Sequence, residues 1–241
     1  IQLPGLSDER RPIIAGGVLV LEAAFNALGL GRMAVSKAAM REGVLYDMLG
    51  RGSEHDPREA SIVALTRRYG IDEAQAARVE ATAIRLFEQV APAWKLDPDD
   101  LLMLAWAARL HEIGSRISHA DAHKHGAYIL GHADVAGFAM HELHDLSQLV
   151  LGHRGKLRKL ETDFANRPFV LQLMCLRLAV ALCHARRDPD SAAISLGLDG
   201  NRLLLQTRPG WATAYPQSAH LLNEESIAWQ RTPWSLEVTL N

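Results

Sequence analysis

The fold class this sequence predicts is mainly α, with a small α+β cap at the C-terminal end. Three observations predict it. From about residue 60 to about Arg187 every periodic segment repeats its apolar positions at helical spacing. After Arg187 the period changes, and AISLGLDGNRLLLQT carries short apolar runs on either side of Asp199-Gly200, a hairpin signal. Close to the end SLEVTL alternates like a strand.

The first fifty residues read as helix, strand, helix. Asp8 and Glu9 open, and Gly29 closes, a stripe through Ile13, Gly17, Val20, Leu21 and Ala24. RMAVSK is a single strand candidate, and Ala38 to Leu49 is the second helix. A lone strand leaves its backbone N–H and C=O groups without neighbours, so this segment reads as the tail of a domain that continues upstream. The opening residues, IQLPGLSDERR, contain neither methionine nor signal peptide and suggest a piece of a longer polypeptide. GRGSEHDPRE, at 50 to 59, has the glycines, proline and mixed charge of a linker.

Val79, Ala83, Leu86 and Val90 then mark one helical face. Asp97-Pro98 is an N-cap followed by proline at the first helical position, opening LLMLAWAARL, apolar on nearly all sides and therefore a central helix. Ser118 and Asp121 resemble a capping box ahead of the helix with His123, His125 and Tyr128. FVLQLMCLRLAVALC, interrupted by Gln172 and Arg177, is too short for a membrane span and reads as a core helix, with a dimer interface as its other use. Ser218 caps a last helix through Trp229.

Composition excludes several classes. With 48% apolar residues and a net charge of −2 the chain is an ordinary globular protein without a global bias toward polyanions. Cys175 and Cys183, eight apart on one helix, project too far apart to bridge, which suggests a reduced, cytoplasmic chain. No aromatic residue interleaves with the basic run HRGKLRK, so the stacking platform of single-strand binders is missing and no specific nucleic-acid partner is expected. No membrane association is expected either.

Eight of the eleven histidines fall between His111 and His153. His111 and Glu112 end the most buried helix, where an imidazole and a carboxylate need partners. From residue type alone they are either metal ligands or members of a structural polar network, with His111 positive at a helix C-terminus. The series HEIG, HKHGAYIL, LVLGHRGKL resembles the HD-type metal-dependent phosphohydrolases. That resemblance implies an ion pocket from His111, Glu112, His125 and His153. The match departs from the pattern in three places. The His-Asp pair is His111-Glu112, the upstream helix DEAQAARVEATA has no histidine, and Val180 stands where the closing aspartate belongs. A divalent ion wants four to six ligands, so this set is degenerate.

SDERRPIIAGGVLVLEAAF, MREGVLYDMLG, HEIG, HKHGAYIL and LVLGHRGKL, in this order, resemble the C-terminal part of the exopolyphosphatase and guanosine pentaphosphate phosphohydrolase family. The resemblance implies the end of an actin-like α/β lobe at 1 to 52, an HD-like helical bundle at 53 to 187 and the α+β cap at 188 to 241. It also implies Mg²⁺-dependent hydrolysis of a terminal phosphoanhydride by an N-terminal half. No glycine-rich phosphate cradle occurs in these 241 residues, so the chain alone is not expected to catalyse. Its expected role is to bind inorganic polyphosphate or guanosine pentaphosphate and to form a homodimer. Arg154, Lys156 and Arg158, with His123, Lys124, His125 and His153, are the candidate phosphate-binding residues, because a phosphate chain asks for a line of cations. Arg116 is expected nearby. The rival expectations are an autonomous metal-dependent phosphohydrolase and a purely structural dimerisation module.

Overall fold

The computed structural model describes residues 7–33, 44, 50, 56–93, 97–160 and 164–241. The chain divides into two compact units, Ile1–Tyr46 and Asp47–Asn241. In the first, a 3-10 turn at Asp8–Arg10 leads into α1 (Arg11–Leu28), which has a proline in its first turn. The left-handed Gly29 ends it, and the N–H groups of Gly29 and Leu30 return to the carbonyls of Asn26 and Phe25. α1 is the helix that the apolar stripe predicts, and Ile13, Val20 and Leu21 of that stripe are exposed together with Val18, Leu19 and Leu28. By length and composition it is the one helix among the described residues long and apolar enough to cross a membrane. Residues 34–37 of the strand candidate RMAVSK lie outside the described residues, as does the helix at 38–49 apart from Val44, which is helical.

In the second unit the helices are α2 (Pro57–Tyr69), α3 (Glu73–Val90), α4 (Pro98–Leu110), α5 (Ala122–His132), α6 (Met140–Gly152) and α7 (Arg167–Leu182). A three-stranded sheet follows, β1 (Ile194–Asp199), β2 (Arg202–Thr207) and β3 (Ser235–Thr239), with α8 (Trp211–Ala214) and α9 (Pro216–Trp229) between β2 and β3. β1 and β2 form the hairpin expected around Asp199-Gly200, with Gly200 at φ 59°. β3 pairs parallel to β2, Leu203 opposite Leu236 and Leu205 opposite Val238, because the α8–α9 connection carries the chain back to the starting end of the sheet.

α7 is the central helix, as its near-continuous apolar run requires, and packs against α3, α4, α6 and α9. Gln172, one of its two polar interruptions, donates to the Asp100 carbonyl at 2.8 Å. Cys175 and Cys183 are free and buried. Trp106, Trp229 and Trp234 are fully buried and Trp211 nearly so, while Trp94 lies outside the described residues.

Capping follows the local chemistry. Asp97 and Asp100 form a reciprocal capping box on α4 with Pro98 in the first turn. Two expected caps move. α5 begins at Ala122, and the Asp121 carboxylate pairs with Lys124 at 2.7 Å instead of capping, although Ser118 Oγ accepts from the Asp121 N–H at 3.4 Å. α9 begins two residues before Ser218, because Pro216 supplies a preset first turn and holds Tyr215 out of the helical region.

The last residues of the expected linker are also corrected. Asp56-Pro57 is a cap-proline pair like Asp97-Pro98, so α2 starts at Pro57 and Arg58 is drawn inside. Its guanidinium, 1% exposed, binds Asp56 at 2.8 Å and Glu142 at 3.0 Å and stacks over Trp106 at 4.8 Å. These negative neighbours hold its pKa above the ordinary arginine value, with the Asp56 hydrogen bond the main cause. Residues 51–55 lie outside the described residues.

Candidate functional site

The helix ends converge on one cleft of about 650 Å³, lined among others by His111, His153, Arg154, Arg177, Arg186 and Glu225. His111 is the residue after α4 and His153 the residue after α6. Each imidazole Nδ1 lies 2.6 Å from the carbonyl three residues before it, Ala108 or Val150. A carbonyl only accepts, so Nδ1 carries the proton and the neutral ring presents Nε2 as an acceptor. The two rings meet edge to face at 5.4 Å. Burial pushes the pKa of His111 down and that of His153 well below the ordinary histidine value, and His111 adds to the shift at His153. The expectation of a positive His111 at a helix C-terminus is thereby corrected: desolvation outweighs the Ala108 hydrogen bond and the Glu112 charge, which favour the protonated ring. His153 is equally a neutral group.

The glycines of HEIG and HKHG make the convergence possible. A Cβ on Gly114 would fall closer than 3.0 Å to the Ala122 carbonyl, the Gly126 nitrogen and His125 Cβ, and one on Gly126 would press on Val150 and Ile113. These positions let α5 lie directly against the turn after α4.

Glu112 does not face the histidine pair as a free ligand. Its carboxylate binds Arg186 at 2.7 Å, and the same guanidinium binds Asp72 at 2.8 Å. Arg186 holds a left-handed backbone, φ 54°, the one positive φ outside glycine among the described residues. Its charge also lowers the His111 pKa. His125 sits half-buried on α5 with Cβ toward Gly114, and is not among the residues lining the cleft. Of the four expected ion ligands, then, His111 and His153 are brought together and Glu112 is engaged by a cation. Among the described residues no group of three or more His, Cys, Asp or Glu side chains is placed to hold a metal ion. The residues present do not fit a divalent cation.

The basic run is exposed at Arg154, Lys156 and Arg158 and anchored by buried Leu157. None of these three cations makes an ion pair with a described residue, whereas Lys124 is paired with Asp121. His123 reaches the run: its Nε2 lies 3.4 Å from where a Cβ on Gly155 would sit, and its ring is 6.3 Å from that of His153. Arg116 instead packs against Gly70.

Two residues that carry the site, Arg186 and Arg177, have no functional reading in the sequence. Arg177, 6% exposed on α7, donates through Nε and Nη2 to the Glu225 carboxylate and through Nη1 to the Gly152 and Gly155 carbonyls at 2.5 and 3.3 Å. It fixes the turn from which the basic run projects. Its signal is present as a charge inside an apolar run, since a buried charge must have partners.

Comparison with known proteins agrees with this construction. Residues 58–226 match the family model described as Ppx/GppA phosphatase, domain III, and residues 1–52 match that of the Ppx/GppA phosphatase family. Three proteins named guanosine-5'-triphosphate,3'-diphosphate pyrophosphatase are similar over nearly all of this chain. That of Pseudoalteromonas translucida is 34% identical over 242 residues, 99% of this chain and 49% of the relative. Those of Photobacterium profundum and Aeromonas hydrophila are 31% and 34% identical over 98% and 97% of this chain, and 48% of each relative. The chain spans about half the length of the curated relatives it matches. With residues 58–226 matching domain III, residues 1–52 matching the family model and relatives 31–34% identical over nearly all of its length, the chain belongs to the Ppx/GppA phosphatase family.

Proposed function

We propose that the chain grips a phosphoanhydride polyanion, inorganic polyphosphate or guanosine pentaphosphate, for a hydrolytic site in the part of such proteins not represented by these 241 residues. In this reading residues 1–52 end an actin-like lobe, 53–187 form an HD-like domain whose ion pocket is lost, and 188–241 form its cap. The Mg²⁺ that the resemblance implies belongs with the other half. The homodimer and the cytoplasmic setting are parts of the same proposal.

One observation carries it. Arg154, Lys156 and Arg158 are exposed cations without carboxylate partners among the described residues, and they project from a turn that buried Arg177 holds rigid. Cations neutralised by neighbouring carboxylates would have little left for a ligand. Among the described residues nothing neutralises these three, and Arg can fork onto two phosphate oxygens. His123 beside Gly155 adds a hydrogen-bonding group at the same place. The names of the relatives support a substrate rich in phosphate.

The test is titration of the chain with long-chain polyphosphate at several salt concentrations. Affinity that falls steeply with salt, as counterion release demands, supports the groove. Absence of binding at low salt overturns it.

A further inference from the structure

Beside the cleft lies a second hollow, of about 310 Å³, lined by Leu157, Phe164, Ile227 and Ala228 together with Lys156, Arg158 and Arg231. Gly155 and Ala228 border both spaces, so the two adjoin at the turn anchored by Arg177. The hollow is largely apolar, and the three cations at it make no ion pair with a described residue. Ile227 is 55% exposed, a large apolar side chain left to this hollow by the core. Phe164 is positioned in advance: its ring meets Trp229 edge to face at 6.3 Å, and its carbonyl accepts from Trp234 Nε1 at 2.8 Å.

Cations alone would suit any phosphate chain. An apolar surface with an aromatic ring gives an inorganic phosphate chain nothing, because such a chain has no apolar atoms to remove from water. One ligand satisfies both halves of the hollow: an anion that carries a flat, largely apolar group at one end. We propose that this hollow is a nucleobase subsite, taking the base of a nucleoside polyphosphate against Phe164 and Ile227 while its phosphates run past Lys156 and Gly155 toward Arg154. The inference rests on the polyanion reading of the adjoining cleft. It adds a means of telling a nucleotide from a bare phosphate chain. A single aromatic slot does not make a platform for successive bases, so the ligand is a free nucleotide.

The test is calorimetric titration of the chain at low salt with guanosine 5'-triphosphate and, separately, with inorganic tripolyphosphate. The nucleotide is expected to bind on the order of tenfold more tightly, the scale of one base stacked on an aromatic ring. Ile227→Gln, at an exposed position, and Phe164→Leu should each reduce that preference and leave tripolyphosphate affinity unchanged. Equal affinities in the unaltered chain, or a preference that both variants leave intact, would overturn the nucleobase subsite while the polyanion groove stands. If neither ligand binds, the groove fails and the subsite fails with it.

Discussion

Arg177 on the central helix and Glu225 on α9 form a buried ion pair, 6% and 11% exposed at the side chain, and the same guanidinium holds the two carbonyls of the turn that carries the basic run. One residue thus joins the helical core, the C-terminal helix and the candidate ligand surface. Arg177→Met would leave the Glu225 carboxylate buried without its cation, at a cost of about 3–5 kcal/mol. Urea denaturation should show the loss, and Arg177→Met with Glu225→Leu should recover part of it. Polyphosphate affinity should fall in the single variant as the turn is released.

Reversing the surface charges should do the opposite. Arg154→Glu, Lys156→Glu and Arg158→Glu lie at exposed positions, and stability should change by no more than about 0.5 kcal/mol for each. Polyphosphate binding should weaken, and the dependence of log K on log salt should become shallower by roughly 0.7 for each phosphate no longer neutralised by a cation. Binding isotherms at three or more salt concentrations measure both effects.

The His111–His153 pair makes stability depend on pH in a definite direction. Both pKa values lie below the unfolded value of about 6.5, so the unfolded chain binds more protons in the window beneath it. The stabilisation is present in full above about pH 6.5 and is lost as pH falls toward the folded values. Comparing unfolding free energies at pH 7.5 and 5.5 should show a decline on acidification that His153→Gln reduces.

Gly114→Ala should be poorly tolerated. The added methyl would meet backbone atoms at Ala122 and Gly126, which cannot turn aside as a side chain can. A loss of about 1–3 kcal/mol is expected, visible as a lower thermal midpoint, with α5 displaced from the end of α4.

Arg58→Met should cost about 3–5 kcal/mol by removing the buried cation that Asp56 and Glu142 both bind. Arg58→Lys should not restore the native value, because an ammonium cannot make the same forked hydrogen bonds or lie flat on Trp106. Thermal denaturation of the two variants distinguishes the missing charge from the missing geometry.

Local chemistry determined much of this molecule. The helical body, the central apolar helix, the Asp97-Pro98 cap, the hairpin at Gly200 and the placement of His111 at a helix end all follow from signals a few residues long. Residues close in sequence dictate dihedrals and exposed faces directly, so such features are legible without coordinates. The end of the expected linker departs from the sequence expectation for the converse reason: Asp56-Pro57 carries a local cap signal, but the partners that bury Arg58 lie on α4 and α6. The tertiary structure alone decided which charges are spent and which stay available. Arg186 meets Glu112 across 74 residues and Arg177 meets Glu225 across 48, so these two cations are paired, while Arg154, Lys156 and Arg158 make no ion pair with a described residue. It also decided that Phe164 and Ile227 flank Lys156, an aromatic and apolar neighbourhood absent from the run itself. No spacing rule encodes such encounters, because they depend on how whole helices pack, and packing is settled by the sum of the core.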